Sequence, residues 1–196
     1  VPISSYTAPS INQYYLTGLT SLVGTGSDPT NFGNPVNSLD IVEIAISSGW
    51  PAIKWWDWSG GFTGDAPVWK LPGTGMPYTG WTQNVNNIPW VSGLTYTIVS
   101  RAQDKASNYE VPVNTRTFVF DITSPTAKVN LPQEGINASA NSLPVITGTA
   151  FDNVGLNRVE LRVKHLTADK YWNVVMNDFD ATLVSSAAWF SYSTMN

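Results

Sequence analysis

The stretch Gly24-Thr25-Gly26-Ser27-Asp28 recurs further along the chain as Gly148-Thr149-Ala150-Phe151-Asp152. Each copy is followed by a run with apolar residues at alternate positions: Val42, Ile44 and Ile46 after the first, and Val159, Leu161 and Val163 after the second. Such alternation is typical of a half-buried β-strand. A β-rich unit that occurs twice indicates a tandem array of domains. Such arrays usually serve as extended spacers, as display surfaces or in adhesion.

The composition favours an exported β-protein. Charged residues make up 12% of the 196 residues, against about 25% in an average soluble protein. The chain has no cysteine, which excludes thiol catalysis and Cys-ligated metals, and many bacterial surface domains also manage without disulfides. We therefore expect an extracellular or cell-surface location in a bacterium.

The charge and the length of the apolar runs argue against two kinds of partner, nucleic acid and the interior of a lipid bilayer. The net charge is −4 and no stripe of Lys and Arg exists, so we expect no nucleic-acid partner. No apolar run approaches the roughly 18–20 residues that span a bilayer, so we expect no membrane span.

Because the chain opens on Val1 without a signal peptide, we expect a processed product or a piece of a longer protein.

Helical periodicity is nearly absent, and apolar runs alternate between clusters of Gly, Pro and Asn. In the first part of the chain the predicted strands cover residues 15–25, 39–47, 52–58, 68–71, 81–88, 95–102 and 115–122. In the second part they cover residues 128–131, 144–149, 158–166, 170–175 and 188–193. Short strands at this spacing predict an all-β fold with antiparallel sandwiches.

The domain boundary is predicted at Asp121-Ile122-Thr123-Ser124-Pro125-Thr126, where a strand ends, a proline follows and a new apolar run starts. We expect residues 1–7 to be the tail of a preceding unit or a linker. Residues 8–123 then form a complete domain with a Trp-rich insert at residues 50–90, and residues 124–196 form a second domain. So short a joint favours a stiff rod.

The second domain is predicted to be incomplete. If Trp189 corresponds to Trp81, this domain has no counterparts of residues 94–102 and 115–122. Losing two strands leaves an open sheet edge and an uncovered core. Either the natural chain continues past Asn196, or another chain supplies the missing strands.

Three motifs in order carry a resemblance to a known family. Residues Gly24–Asp28 before an alternating strand come first, then Ser100-Arg101-Ala102-Gln103-Asp104-Lys105-Ala106-Ser107-Asn108, then Phe118-Val119-Phe120-Asp121-Ile122-Thr123-Ser124-Pro125-Thr126. They resemble the bacterial immunoglobulin-like (Big-type) repeats of large cell-surface and secreted proteins. Residues 8–123 resemble a whole repeat and 124–196 about two thirds of another. The sequence departs from the pattern at Ser107, where glycine is usual, and in the aromatic insert. The resemblance implies tandem immunoglobulin-like sandwiches with a stalk or adhesive role, and implies no reaction.

Seven of the nine tryptophans lie between Trp50 and Trp90, and they are the first candidates for contact with a ligand or partner. The candidate contact residues are Trp55, Trp56, Trp58, Trp69 and Trp81. On one strand Trp56 and Trp58 share a face while Trp55 points to the other, so these three cannot all be core. Exposed indoles would stack on sugar rings or pack against a protein. The alternative is a hairpin that folds its own aromatics into a satellite cluster.

Calcium is the candidate metal ion. Asp28, Asp104 and Asn108 supply hard oxygen ligands from several loops, as Ca²⁺ requires. The alternative is that Asp104 and Asn108 shape a tight turn by bonding to their own backbone. No dense Asp-x-Asp-x-Asp run is present.

Catalysis is not expected. Asp57 and Asp65 in the Trp-rich insert can be imagined as a glycosidase pair, but two carboxylates in a Gly-rich loop are ordinary. His165 is the only histidine and lies on an alternating strand. The sequence therefore predicts a non-enzymatic structural or adhesive module of an extracellular stalk, adhesin or filament, with neighbouring domains or identical subunits as partners. The alternative is a carbohydrate-binding accessory module that uses the Trp50–Trp69 region on a glycan.

Overall fold

The computed structural model describes residues 1–10, 14–15, 19–28, 39–49, 52–74, 79–133, 135 and 145–191. The chain divides into two compact units, residues 1–123 (unit 1) and residues 124–196 (unit 2). Across the described ranges the secondary structure is β-strand with one short 3-10 helix, Ser185–Ala187. No helix in them is long and apolar enough to cross a membrane. The prediction of an all-β protein with antiparallel sheets is confirmed, whereas its immunoglobulin-like connectivity stays a prediction.

Strands follow one another through both units at short spacing. In unit 1 they are β1 (Ile3–Ala8), β2 (Tyr14–Tyr15), β3 (Ser21–Ser27), β4 (Leu39–Ser48), β5 (Lys54–Trp56), β6 (Phe62–Gly64), β7 (Trp81–Asn84), β8 (Thr95–Asp104) and β9 (Asn114–Phe120). In unit 2 they are β10 (Thr126–Leu131), β11 (Thr147–Phe151), β12 (Glu160–Leu161), β13 (Lys164–His165), β14 (Lys170–Asn173), β15 (Asp178–Asp180) and β16 (Phe190–Ser191).

Unit 1 is built from two sheets around one hydrophobic core. A three-stranded sheet has the order β1-β3-β7, and a six-stranded sheet has the order β2-β9-β8-β4-β5-β6. Neighbouring strands are antiparallel except β2, which pairs in parallel with β9. Alternate residues of the central strands β4 and β8 point into the core, and both sheets contribute to it. The largest fully buried side chains are Trp56, Trp81, Tyr96, Phe118, Leu22, Leu39, Ile44, Ile46 and Ile98.

The first residues of the chain belong to unit 1, which corrects the prediction that residues 1–7 are a linker or the tail of a preceding unit. Strand β1 pairs with β3 from Ile3 to Ala8. Tyr6 and Ser4 are buried, and the Tyr6 ring meets the Trp81 ring edge-on at 5.5 Å between centroids. The apolar alternation of β1 is weak, because the inward-facing Ser4 is polar, so this strand is hard to predict from alternation.

The Trp-rich stretch, residues 50–90, is also part of the framework rather than an insert beside it. Strands β5 and β6 extend the six-stranded sheet beyond β4, and β7 completes the three-stranded sheet beside β3. The predicted strand at residues 68–71 is reduced to a bridge between Lys70 and Ile44. Trp50 lies outside the described residues.

Unit 2 has smaller sheets and little core. Its strands form the pairs β10-β11 and β12-β16 and the three-stranded sheet β13-β14-β15. The strand predicted over residues 158–166 is broken into β12 and β13. Among the described residues of this unit, Ala188 is the only buried apolar side chain. Those exposed by more than half include Val145, Phe151, Leu166, Val174, Val175, Met176 and Val184.

Pairing in the first hairpin is similar in the two units. Strand β1 shifts register against β3 between Tyr6 and Ala8, and Tyr6 lies opposite Gly24. Strand β10 shifts register against β11 between Val129 and Leu131, and Val129 lies opposite Gly148. Both glycines are sites of close backbone approach. A Cβ on Gly24 would overlap the Ser5 carbonyl oxygen and the Trp81 indole, and one on Gly148 would lie 2.5 Å from the Lys128 carbonyl oxygen.

The next strands also correspond. In unit 1 Trp55 of β5 pairs with Ser47 of β4, and in unit 2 Tyr171 of β14 pairs with Lys164 of β13. A tryptophan follows each of these aromatics and packs on a phenylalanine of the next strand. The ring centroids are 5.2 Å apart for Trp56 and Phe62, and 5.3 Å apart for Trp172 and Phe179.

Candidate contact surfaces

Two of the predicted contact tryptophans are core residues. Trp56 and Trp81 are 0% and 1% exposed, so their prediction as ligand or partner contacts is wrong. Each is placed by its strand: Trp56 faces inward from β5 onto Phe62, and Trp81 faces inward from β7, where it covers Gly24. Neither indole face is open to a sugar or a protein partner.

Trp58 is partly buried and held by its own hairpin. Its backbone φ is 61°, in the left-handed region that side chains rarely adopt. The indole Nε1 donates to the Val68 carbonyl oxygen at 2.8 Å. The Lys70 ammonium lies 5.2 Å from the ring centroid, within cation–π range. One face and the polar edge of this ring are therefore already engaged inside unit 1.

Trp69 is partly buried beneath an arginine. The Arg101 guanidinium lies 4.0 Å from the Trp69 ring centroid and 4.3 Å from that of Tyr109. Its Nη2 also lies 2.7 Å from the Glu43 carboxylate. Arginine stacks well on aromatic planes while its edge forms ion pairs. The cation thus ties Trp69, Tyr109 and Glu43 together on the outer surface of the six-stranded sheet.

Trp55 is partly buried on β5, opposite Gly64 of β6. Of the five predicted contact tryptophans, two are therefore core, two have their rings engaged by cations of the same unit, and one lies half-covered on the sheet. These aromatics are engaged within unit 1, but Trp56 and Trp81 belong to its main hydrophobic core and Trp58 packs against that core, so they do not form a separate satellite cluster. The arrangement gives little open indole surface for stacking on a sugar.

Asp57 and Asp65, the imagined glycosidase pair, are both engaged within their own hairpin. Asp57 accepts backbone N–H groups of Gly61, Ser59 and Gly60, and the bonds from Gly61 and Ser59 lower its pKa below the usual range. A hydrogen-bonded salt bridge with Lys54 lowers the pKa of Asp65. A general acid of a glycosidase has a raised pKa instead.

The calcium candidates come together only in part. Asp104 accepts from the backbone N–H of Ala106 and from the Asn108 backbone and side chain, all at 2.8–2.9 Å. These bonds, the Asn108 side chain first, lower the Asp104 pKa. Ser107 within this turn has φ 69°, in the region that favours glycine.

Asp28 lies 3.5 Å from the Val1 amino group, and the same amino group is among the charges that lower the pKa of Asp104. In the described ranges no three His, Cys, Asp or Glu residues gather where they would hold a metal ion. Asn108 presents its NH₂ group to Asp104, and this pair closes the turn in the way that the alternative to calcium binding describes.

Sequence reasoning missed a buried carboxylate. Glu110 Oε2 accepts the Ser4 backbone N–H at 2.9 Å, the Ser4 hydroxyl at 2.6 Å and the Ala102 N–H at 3.0 Å. The Ser4 hydroxyl also lies 2.6 Å from that of Ser100. Glu110 thus ties β1 to β8 across the two sheets. Its position just after a polar turn gave no signal of burial.

An apolar groove lies in unit 2. The groove, of about 300 Å³, is lined mainly by apolar side chains. Those that frame it are Trp172, Val175, Met176, Leu183, Trp189 and Phe190. Trp189 is 47% exposed and Val175 is 90% exposed. The Arg162 guanidinium lies 4.5 Å from the Trp189 ring centroid, so one face of that indole is covered.

Local hydrogen bonds shape this groove. Asn173 Oδ1 accepts the backbone N–H groups of Val175 and Met176 at 3.0 and 3.2 Å, which holds the turn between β14 and β15. The Asn173 amide donates to Asp180 at 3.1 Å. His165, the lone histidine, is exposed, and its ring meets that of Phe179 edge-on at 5.5 Å. The turn therefore presents Val175 and Met176 to solvent.

No protein-family model, curated protein or solved structure matches the chain. Unit 1 uses its aromatics internally, whereas unit 2 exposes apolar side chains around a groove.

Proposed function

We propose that the chain is a non-enzymatic structural and adhesive module of an extracellular stalk, adhesin or filament at a bacterial cell surface. Its two units are tandem copies of one sandwich design. The observation that carries the proposal is the apolar surface of unit 2, where Val175, Phe151 and Leu166 are at least 70% exposed. Of these, Val175 adjoins the groove framed by Trp172, Met176 and Trp189, and contiguous exposed apolar surface of that kind is typical of sites of protein association.

The correspondence between the units supports a repeated design. The same register shift occurs in the β1–β3 and β10–β11 hairpins, and the same strand–turn–strand arrangement follows in β5–β6 and β14–β15. Domains repeated in series usually form extended structures that display binding surfaces, and few such repeats catalyse a reaction. The low charge and the lack of cysteine agree with export to a bacterial surface.

The contact surface differs from the one that the sequence suggested. The Trp55–Trp69 region of unit 1 is engaged by Lys70, Arg101 and Val68, so the proposal assigns adhesion to unit 2. Carbohydrate binding through the unit 1 tryptophans has less support, because sugar stacking needs an open indole face.

The proposal is tested by measuring association and glycan binding on the same purified chain. We expect concentration-dependent association in sedimentation velocity, or filaments in electron micrographs, with indole fluorescence unchanged across a panel of soluble polysaccharides. A saturable fluorescence shift that disappears in Trp58→Ala and Trp69→Ala would favour the carbohydrate module instead. A chain that stays monomeric, without association with itself or with cell-surface extracts, would contradict the adhesive role.

A further inference from the structure

We propose that the cleft of unit 1 that holds β1 is a strand-binding site, and that its partner is the β1 segment of a second copy of the chain. Exchange of residues 3–8 then joins two copies. The structure shows the occupant of this site, because β1 of the same chain fills it. Strand exchange goes beyond the proposed function, since it adds a joint between copies to the contact surface of unit 2.

On one side β1 is held by main-chain pairing. It lies at the edge of the three-stranded sheet and pairs with β3 from Ile3 to Ala8. Ser4 and Tyr6 point inward and are 0% and 7% exposed, whereas Ile3 is 47% exposed. The buried side chains of this strand are therefore a serine and a tyrosine. Release of β1 takes no large aliphatic side chain out of the core, so β1 should open more readily than the central strands.

On its other side β1 is held by side chains. The Ser4 N–H donates to Glu110 Oε2 at 2.9 Å, and the Asn114 amide donates to the Ser4 carbonyl oxygen at 2.9 Å. Two residues further along each strand, Arg116 donates to the Tyr6 carbonyl oxygen at 3.4 Å. Asn114 and Arg116 thus match the two-residue period of β1 and bind its backbone in register.

Release of β1 uncovers groups that need a replacement. The Glu110 carboxylate loses the Ser4 N–H and hydroxyl donors, and the Trp81 ring loses its edge-on contact with Tyr6. A carboxylate left without donors and an apolar ring left in water are both unfavourable. A segment with the sequence of β1 restores all of these contacts, and a second copy of the chain supplies that segment.

Exchange of an identical strand costs little free energy. The strand makes the same contacts whether it comes from the same chain or from a second copy, so the two states differ mainly in the connection through residues 9–20 and in the chain concentration. For short connections the effective concentration of the intramolecular partner is on the order of 1 mM. Exchange should therefore occur where copies are crowded to that range.

Two single-cysteine variants detect the exchange. Ser5 of β1 lies opposite Thr25 of β3, with the two hydroxyl oxygens 2.9 Å apart, so cysteines at these positions are close enough for a disulfide. The chain contains no other cysteine. Ser5→Cys and Thr25→Cys are mixed at about 1 mM and treated with oxidised glutathione. We expect a disulfide-linked heterodimer, and peptide mapping should place the bond between positions 5 and 25.

A mixture of Ile3→Cys with Thr25→Cys is the matched control. Ile3 is also an exposed residue of β1, but it lies opposite Ser27 rather than Thr25. We expect this mixture to give only the heterodimer that random collision produces. A chain that carries both Ser5→Cys and Thr25→Cys, oxidised when dilute, should close the bond within itself, which checks that the substitutions preserve the fold and the register.

The bond from Asn114 gives a second measurement. Asn114→Ala, introduced into both cysteine variants, removes a donor that holds the Ser4 carbonyl oxygen. The heterodimer should then form roughly fivefold faster, the factor that corresponds to one hydrogen bond. Thr117→Ala is on the same strand, where its hydroxyl contacts Thr97 of β8, and it should leave the rate unchanged.

Strand exchange is refuted if the Ser5→Cys mixture gives no more heterodimer than the Ile3→Cys mixture, or if peptide mapping places the disulfide elsewhere. It is refuted as well if Asn114→Ala and Thr117→Ala change the rate equally. Association of the parent chain with itself, without this heterodimer, would refute the exchange alone and leave the adhesive contact of unit 2 in place.

Discussion

Units 1 and 2 contain matching pieces of sheet with opposite burial. Trp56 of unit 1 is 0% exposed, while Trp172 at the corresponding place in unit 2 is only partly buried. Each lies on its own short strand, two residues after a lysine, and packs on a phenylalanine of the next strand, with nearly the same distance between ring centroids. The difference comes from strands elsewhere in unit 1, chiefly β8 and β9. The local sequence pattern thus determines which strand a residue lies on and which neighbouring residue it packs against. Strands that are more distant in sequence determine whether its side chain is buried or exposed.

The largest expected effect is on these two tryptophans. Trp56→Ala should destabilise unit 1 by about 3–5 kcal/mol, since it removes a fully buried ring from a closed core. Trp172→Ala should cost about 1 kcal/mol or less, because the ring is already hydrated on one side. Urea unfolding of both variants, followed by hydrogen exchange with peptide resolution, reports the two units separately. Equal losses in the two variants would show that unit 2 is as well packed as unit 1.

Removal of the buried Glu110 carboxylate should have the second-largest effect on stability. Glu110→Ala leaves the Ser4 and Ala102 N–H groups buried without an acceptor, and we expect a loss of about 2–3 kcal/mol. Since Glu110 contributes two of the hydrogen bonds that hold β1, alongside the Ser4–Ser100 hydroxyl contact, amide exchange in β1 should accelerate. Glu43→Ala is the control: its ion pair with Arg101 is only partly buried, and its loss should cost about 1 kcal/mol or less. Unchanged exchange in β1 would mean that pairing with β3 and the remaining bonds to Ser100 and Asn114 hold that strand.

The strands themselves were largely predictable from alternation. Residues 39–47, 95–102 and 115–122 were predicted as strands, and β4, β8 and β9 begin and end within two residues of them. Strand β1 was missed because serine takes an inward position and is held there by Glu110 rather than by apolar packing. Strands β6 and β15 were missed because each is three residues long and gives no periodic signal.

The candidate site was less predictable, for a physical reason. A run of tryptophans is compatible with an exposed platform and with a core, and only the partner strands distinguish them. Trp81 is buried because Gly24, far away in sequence, leaves room for its ring. The groove in unit 2 is framed by residues of the β14–β15 turn and of the segment that ends in β16, and no local pattern in the sequence shows that these two segments lie together.

The two glycines of the repeated motif allow a sharper comparison. Gly24→Ala places a methyl group against the Ser5 carbonyl oxygen and the Trp81 ring, both fixed in the core of unit 1. We expect a loss of about 1–3 kcal/mol, the usual cost of overpacking. Gly148→Ala meets only the Lys128 carbonyl oxygen, on a strand whose residues are all exposed and can shift. Its cost should be smaller, and equal costs in thermal unfolding of the two variants would show that β10 is held as firmly as β1.

The smallest effect concerns two turn carboxylates, Asp104 in unit 1 and Asp152 in unit 2. Hydrogen bonds from Asn108 lower the pKa of Asp104, and those from Gly155 and Val154 lower the pKa of Asp152. Because each folded-state pKa is below the unfolded value of about 3.9, each carboxylate stabilises its unit above about pH 4. That contribution is lost as the pH falls through the folded-state pKa.

Asp104→Asn and Asp152→Asn should therefore lower the melting temperature at pH 7 and differ less from the parent chain near about pH 2.5. The effect should be larger for Asp104, whose partners include a side chain of a turn that closes the long strand β8. Melting curves at both pH values, combined with exchange rates for the two turns, test this. A deficit that stays constant between the two pH values would mean that the asparagine disturbs the turn sterically, and that the charge of the carboxylate contributes nothing.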